Sequence, residues 1–247
     1  MPAPPLSNTL DGGTNGADIT AANSGGTSGD AFDLAATAGT TTLTYDNTVA
    51  LGALSAALTF GATPGSTYRG WGGLGSITGA VFYRVYMNAT ANPTATIWPF
   101  RLMDGAGVRT CEIALLTAGT FRLYNSAGAS TGATTSVSMS LTGWFRVEWM
   151  FHPAGAADNQ FKLRLYNDPD AAVGDFYGTE VVATGASATF GANQNQFRWG
   201  VNSGAAGGAN QVIRFDNFAV STTDWIGPVG GASGATHEKT GTGLIGP

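Results

Sequence analysis

The sequence predicts an all-β protein, one antiparallel sandwich of two sheets. Three observations carry this. Short segments alternate apolar and polar residues with the period of a strand. Gly, Asn, Asp and Pro punctuate those segments at close intervals. No stretch shows a convincing amphipathic helix, and 37 glycines among 247 residues favour turns over helices.

The first segments are TTLTY (41–45), SAALTF (55–60), GAVFYRVYMNA (79–89) and TIWPFRLMD (96–104). VRTCEIALL (108–116), TFRLYN (120–125), TSVSMSL (135–141) and WFRVEWMFH (144–152) follow. QFKLRLYN (160–167), TEVVA (179–183), QFRWGV (196–201) and QVIRFDNFAVS (211–221) complete the series. DGAG (104–107), NSAG (125–128) and NDPD (167–170) supply residues that accept tight or left-handed backbone.

The faces separate within each segment. Phe145, Val147, Trp149 and Phe151 point one way; Trp144, Arg146, Glu148 and Met150 point the other. Phe161, Leu163 and Leu165 oppose Lys162, Arg164 and Tyr166. Val81, Tyr83, Val85 and Met87 oppose Phe82, Arg84 and Tyr86. Each strand thus has one apolar face for a core and one face mixing aromatics with charges. Phe145, Val147, Trp149, Phe161, Leu163, Leu165, Ile213 and Phe215 are the predicted core.

Composition excludes some functions. A net charge of −5 with 11 Lys and Arg argues against nucleic acid as a partner. No run of some 18 apolar residues exists, so no membrane span is expected. MPAPPLSNTLDGG has no basic stretch followed by an apolar core, so no secretory signal is expected. Cys111 alternates within a strand and reads as a buried structural thiol.

Three regions follow: a Gly/Ser/Thr/Pro-rich arm over 1–30, a sandwich over 31–228 and a Gly-rich tail over 229–247. The arms hold little to make a core. Their scattered apolar residues, Leu6, Leu10 and Ile19 at one end and Leu244 and Ile245 at the other, read as anchors to neighbouring subunits.

Phe215-Asp216-Asn217-Phe218-Ala219-Val220 resembles the last strand of concanavalin A-like and laminin-G-like jelly rolls. GWFRVEW (143–149), FKLRLYN (161–167) and VFYRVYM (81–87) agree with that family in order, so the resemblance spans roughly 40–228. It implies a jelly-roll sandwich with extended arms. Asp216 and Asn217 face opposite sides of their strand, so at least one needs a partner. An arginine such as Arg84 or a neighbouring strand is expected to supply it, the alternative being a bulge with both groups in water.

Chemistry is sparse. Cleavage of a glycosidic bond by two carboxylates needs a pair at one site. Glu112, Glu148 and Glu180 are each isolated in sequence, so no enzyme is expected. His152 and His237 lack further ligands at metal spacing. Lectins and laminin-G-like modules often hold calcium; Asp168, Asp170 and Asp175 are the candidate oxygen ligands. Trp71, in the glycine-rich YRGWGGLGS (68–76), could stack on a sugar, as could Tyr83, Tyr86, Trp98 and Trp144.

The chain as a whole resembles the jelly-roll virion proteins of tailed phages. That implies a non-enzymatic decoration protein on the virion surface, on capsid or tail, set among other virion subunits in an oligomer or lattice. A lectin-like module recognising glycans is the alternative.

Overall fold

The computed structural model describes residues 3–63, 65–153, 160–184, 190–202, 208 and 210–229. Among them there is no α-helix and none long and apolar enough to cross a membrane; one 3-10 turn spans Gly26–Ser28. The strands are β1 (Leu6–Asn8), β2 (Leu34–Thr37), β3 (Thr42–Asp46), β4 (Ser55–Thr59) and β5 (Thr67–Trp71). They continue as β6 (Val81–Ala89), β7 (Ile97–Met103), β8 (Arg109–Leu115), β9 (Phe121–Tyr124) and β10 (Ser130–Thr134). The last are β11 (Trp144–His152), β12 (Gln160–Tyr166), β13 (Val181–Thr184), β14 (Gln196–Val201) and β15 (Val212–Ser221).

They form two antiparallel sheets. The eight-stranded sheet runs β13-β12-β11-β6-β15-β4-β3, with β1 also on β15; the seven-stranded sheet runs β10-β9-β8-β7-β14-β5-β2. This is the jelly-roll sandwich that the sequence predicts. All eight predicted core residues are at most 4% exposed. An aromatic cluster joins the sheets: Trp149 of the first contacts Phe100 of the second, their ring centroids 4.7 Å apart, and Trp199 of the second meets Phe218 at 4.3 Å. Cys111 is buried there, and burial pushes its thiol well above the usual range.

One predicted strand is absent, and β1, β2, β5 and β10 form where none was predicted. Residues 135–141 form no strand. Their side chains bond locally, Thr135 Oγ1 to the Val137 carbonyl at 2.8 Å and Ser138 Oγ to the Ala118 carbonyl at 2.9 Å, which competes with a ladder. YRGW, in the glycine-rich stretch where no strand was predicted, lies in β5. Gly70 permits it: a Cβ there would run into the Phe197 carbonyl of the adjoining strand.

Residues 6–30 pack on the sandwich. Leu6, Leu10 and Ile19, expected to contact other subunits, are instead 4%, 0% and 0% exposed in the chain's own core. Strand β1 pairs with β15, and Arg69 donates to the Ile19 carbonyl. Leu244 and Ile245 lie outside the described residues.

The Asp-Asn pair marks where β15 changes neighbours. One side of β15 pairs with β6 throughout; the other pairs with β4 over 212–215 and with β1 over 218–220. A bulge between Asp216 and Ala219 bridges the change, with Asn217 at φ 49°. Asp216 is fully buried. Its carboxylate accepts from the backbone of Leu51 at 3.0 Å and of Asn217 at 2.7 Å. Asp11, just after β1, accepts similarly from Ala53 at 2.7 Å and Leu54 at 3.2 Å. The two carboxylates hold the backbone N–H groups that the gap between β1 and β4 would leave unpaired. Arg84 reaches the Asn217 carbonyl, at 3.4 Å, and not the carboxylate.

Candidate functional site

The fold has two outward faces, and both mix arginine, tyrosine and glutamate. On the eight-stranded sheet, Arg84 and Tyr86 of β6, Arg146 and Glu148 of β11, and Arg164 and Tyr166 of β12 share a face by alternation and register. Residues 167–180 and 222–229 lie over them. Arg146 Nη2 donates to the Ala171 carbonyl at 2.7 Å, and Arg84 Nη1 to the Gly227 carbonyl at 3.0 Å. Tyr166 Oη donates to the Val173 carbonyl at 2.8 Å, and Tyr86 Oη accepts from the Val229 backbone at 2.8 Å. Arg164 lies 3.8 Å over the Trp225 ring. Arg146 and Glu148 are 0% exposed, their Nε and Oε1 2.9 Å apart. Burial raises the Glu148 carboxyl, and Arg146 and Arg84 oppose that rise. This face is sealed. A groove of about 570 Å³ beside it, lined in part by Leu6, Ser7, Arg84 and Trp225, offers a ligand little, because Arg84 already donates to two carbonyls.

The seven-stranded sheet presents the other face. Phe100, Leu102, Cys111, Ile113, Leu123 and Phe197 point into the core, so Arg101, Glu112, Tyr124, Gln196 and Arg198 point out. Register aligns them. Tyr124 of β9 pairs with Glu112 of β8, Glu112 with Arg101 of β7, Arg101 with Arg198 of β14, and Arg198 with Gly70 of β5. This row crosses five strands, about 19 Å at the usual strand spacing. Beside it stand Tyr68, whose ring lies 4.6 Å from the Arg198 guanidinium, Trp98, whose ring centroid is 6.2 Å from that of Tyr124, and Arg122.

Glu112 is 2% exposed and held by Arg101 and by Arg109, the latter at 2.8 Å. Arg198 donates to Gln196 Oε1 from Nη2 at 2.7 Å and from Nε at 3.2 Å. Burial lowers the Arg198 pKa and so does Arg101, while Tyr68 raises it. The row is polar, half-buried except for the buried Glu112, and fixed on strands rather than loops, as a ligand-contacting surface requires.

The sequence-predicted sites fall elsewhere. Trp71 is 0% exposed in the core, its indole N–H bonded to the Asp30 carbonyl at 3.3 Å, so it has no ring face for a sugar. Tyr83 is buried, bonded to Gln194 at 2.6 Å. Tyr86, 1% exposed, lies beneath the covering segments. Trp144 is half-buried at the start of β11. Among the predicted aromatics, only Trp98 reaches the open row. Asp168 bonds the backbone of Asp170 at 3.0 Å as a turn cap. Among the described residues no group of three or more His, Cys, Asp or Glu could hold a metal ion, and Asp168, Asp170 and Asp175 form no such group. The sequence reading missed Arg101, Arg198, Tyr68 and Tyr124, and set Glu112 aside as isolated. Their outward alternation was visible, but which strands adjoin was not.

No protein-family model and no curated protein matches the chain. Solved structures do. An endo-β-1,4-glucuronan lyase from the fungus Trichoderma reesei shares the fold at TM-score 0.57 and 16% identity, over 88% of this chain and 95% of that one. A cellulose-induced protein, Cip1, matches at TM-score 0.54 and 15% identity, over 76% and 88%. A marine alginate lyase from Aplysia kurodai matches at TM-score 0.53 and 11% identity, over 73% and 87%. These likenesses overturn the expectation of a non-enzymatic virion decoration protein. Two of these three, the glucuronan lyase and the alginate lyase, are named as enzymes. The jelly-roll resemblance stands; its phage assignment has no support.

Proposed function

We propose that the protein is carbohydrate-active, holding a polysaccharide along the outward face of the seven-stranded sheet and cleaving it there. The observation that carries this reading is the open row Tyr124–Glu112–Arg101–Arg198, flanked by Tyr68 and Trp98. Aromatic rings offer flat apolar surface to sugar rings, and guanidinium groups donate to hydroxyl and acidic oxygens. These four side chains, Tyr124 to Arg198, span three strand spacings, about 14 Å, enough to follow more than one linked sugar. The glucuronan and alginate lyases that share the fold support a polysaccharide substrate.

The face favours one kind of chemistry over another. Hydrolysis by paired carboxylates needs two, and in this row Glu112 stands alone, engaged by two arginines. Phenols and guanidinium groups remain. A phenol can move a proton, and a fixed cation can stabilise charge that develops during bond cleavage. Tyr124, beside Glu112, is the phenol placed in the row itself.

The test measures retention and fragmentation of a panel of neutral and acidic polysaccharides. The native protein should release oligosaccharides from at least one of them. Tyr124→Phe, which removes only a hydroxyl, should keep retention and lose release. Retention of no polysaccharide would overturn the reading, and so would release undiminished in a Tyr124→Phe, Tyr68→Phe double variant.

A further inference from the structure

The placement of charge on this face identifies the sugar. We propose that the polysaccharide is a polyuronate, a chain bearing carboxylates, and that Arg198 is the residue that selects it. This rests on the reading that the seven-stranded sheet holds the glycan.

The chain is acidic, at −5. Yet Arg101, Arg109, Arg122 and Arg198 stand together on the open face against the single carboxylate of Glu112. Arg101 and Arg109 share that carboxylate. Arg122 bonds Thr134 Oγ1 at 2.9 Å, and Arg198 bonds the neutral Gln196; among the described residues neither has a carboxylate within ion-pair distance. Arginines elsewhere are engaged. Arg214 pairs with Asp46 at 2.6 Å, Arg164 with Glu180 at 2.5 Å and Arg146 with Glu148 at 2.9 Å, while Arg69 and Arg84 donate to carbonyls.

Arg198 differs from Arg122 in its setting. Its cross-strand partner on one side is Gly70, which has no side chain to pair with the guanidinium. On the other side is Arg101, whose charge is already met by Glu112, so Arg198 is the member of this cross-strand pair without a carboxylate partner. Tyr68 backs the guanidinium plane, and Gln196 takes Nε and Nη2, which leaves Nη1 to donate. A planar guanidinium matches a carboxylate oxygen pair closely, and two adjacent ones can share it. Sugar rings carry that carboxylate past Tyr68 and Trp98, which supply the apolar contact.

The experiment compares affinity for polyglucuronate, dextran sulfate and a neutral β-glucan in the native protein and in Arg198→Gln, Arg198→Lys and Arg214→Gln. Polyglucuronate should bind tightest. Arg198→Gln should weaken it about tenfold or more, the effect of losing a charge-assisted contact. Arg198→Lys, which keeps the charge without the fork, should fall between. Arg214→Gln makes the same charge change on the other sheet and should leave binding unaltered. Neutral glucan or dextran sulfate bound as tightly as polyglucuronate would overturn the inference while leaving the sheet-face reading intact. Equal losses in Arg198→Gln and Arg214→Gln would also overturn it, because general charge attraction would then explain binding. Binding of no glycan would remove both.

Discussion

The two outward faces of the sandwich carry nearly the same residues and do different things. Arg84, Arg146, Arg164, Tyr86, Tyr166 and Glu148 stand on one; Arg101, Arg109, Arg198, Tyr68, Tyr124 and Glu112 stand on the other. The difference is cover. Residues 167–180 and 222–229 lie over the first, and their carbonyls take the hydrogens that its arginines and Tyr166 donate. On the second, Arg101 and Arg198 bond only side chains of their own sheet, and Arg101 keeps a side-chain exposure of 17% where Arg146 keeps none. A mixed face is therefore either a polar glue for covering chain or a surface for ligand, and composition does not say which.

The largest way to break that comparison is to unseal the first face. Arg146 and Glu148 are both fully buried. Removing one partner of a buried ion pair leaves the other charged and unpaired, at a cost of about 3–5 kcal/mol. Arg146→Ala and Glu148→Ala should each lose stability on that scale in urea unfolding. The folded fraction should retain polysaccharide as the native protein does. A loss of retention in a still-folded variant would place the ligand on the wrong sheet here.

Much of this was legible in the sequence, and the reasons for the rest are physical. Alternation depends on local residue order, so the core face of WFRVEWMFH and QFKLRLYN could be read directly. The Asp-Asn pair correctly flagged an irregularity in β15. Its partners are the backbone at Leu51 and Asn217, and nothing local to 216 indicates that β4 gives way to β1 there. Trp71 misled because glycines on both sides suggest a loop. In fact the Gly70 position lets β5 approach β14 closely, and Trp71 turns inward. The open row is assembled from five strands out of sequence order, and single-strand periodicity carries no cross-strand register. The N-terminal residues looked unable to form a core because they are few and scattered. Leu6, Leu10 and Ile19 instead join a core that the sandwich already provides.

A mid-sized effect separates buried charge at the strand change from charge on either face. Burial pushes the Asp216 carboxyl up to about 7, against the Leu51 and Asn217 N–H groups, which favour its ionised form. In the unfolded chain the group titrates near 4. Between those values the folded protein holds the extra proton, so stability contributed by this group is complete below about pH 4 and is lost as pH rises to about 7. Each unit of separation is worth about 1.4 kcal/mol. Unfolding midpoints measured across that range should fall with pH. Asp216→Asn should flatten the decline, since the amide does not titrate. An unchanged slope in the variant would assign the pH response to other groups.

The smallest effect sharpens the comparison most, because it sets two tryptophans against each other. Trp98 is half-buried at the open row, edge-on to Tyr124. Trp225 is half-buried over the sealed face, where its ring lies 3.8 Å from the Arg164 guanidinium and 5.5 Å from the Phe82 ring. If cover decides function, the same substitution should have opposite signatures. Trp98→Ala should leave the melting temperature nearly unchanged and weaken polysaccharide binding about threefold to tenfold, the range of one aromatic contact. Trp225→Ala should leave binding unchanged and lower stability by about 1–2 kcal/mol, because it strips a cation–π partner from Arg164 and opens the segment over Arg84. Isothermal titration against polyglucuronate and urea unfolding read the two quantities independently. Were both variants to lose binding equally, the covering segment would itself contribute to the site, and the division between a sealed and an open face would fail.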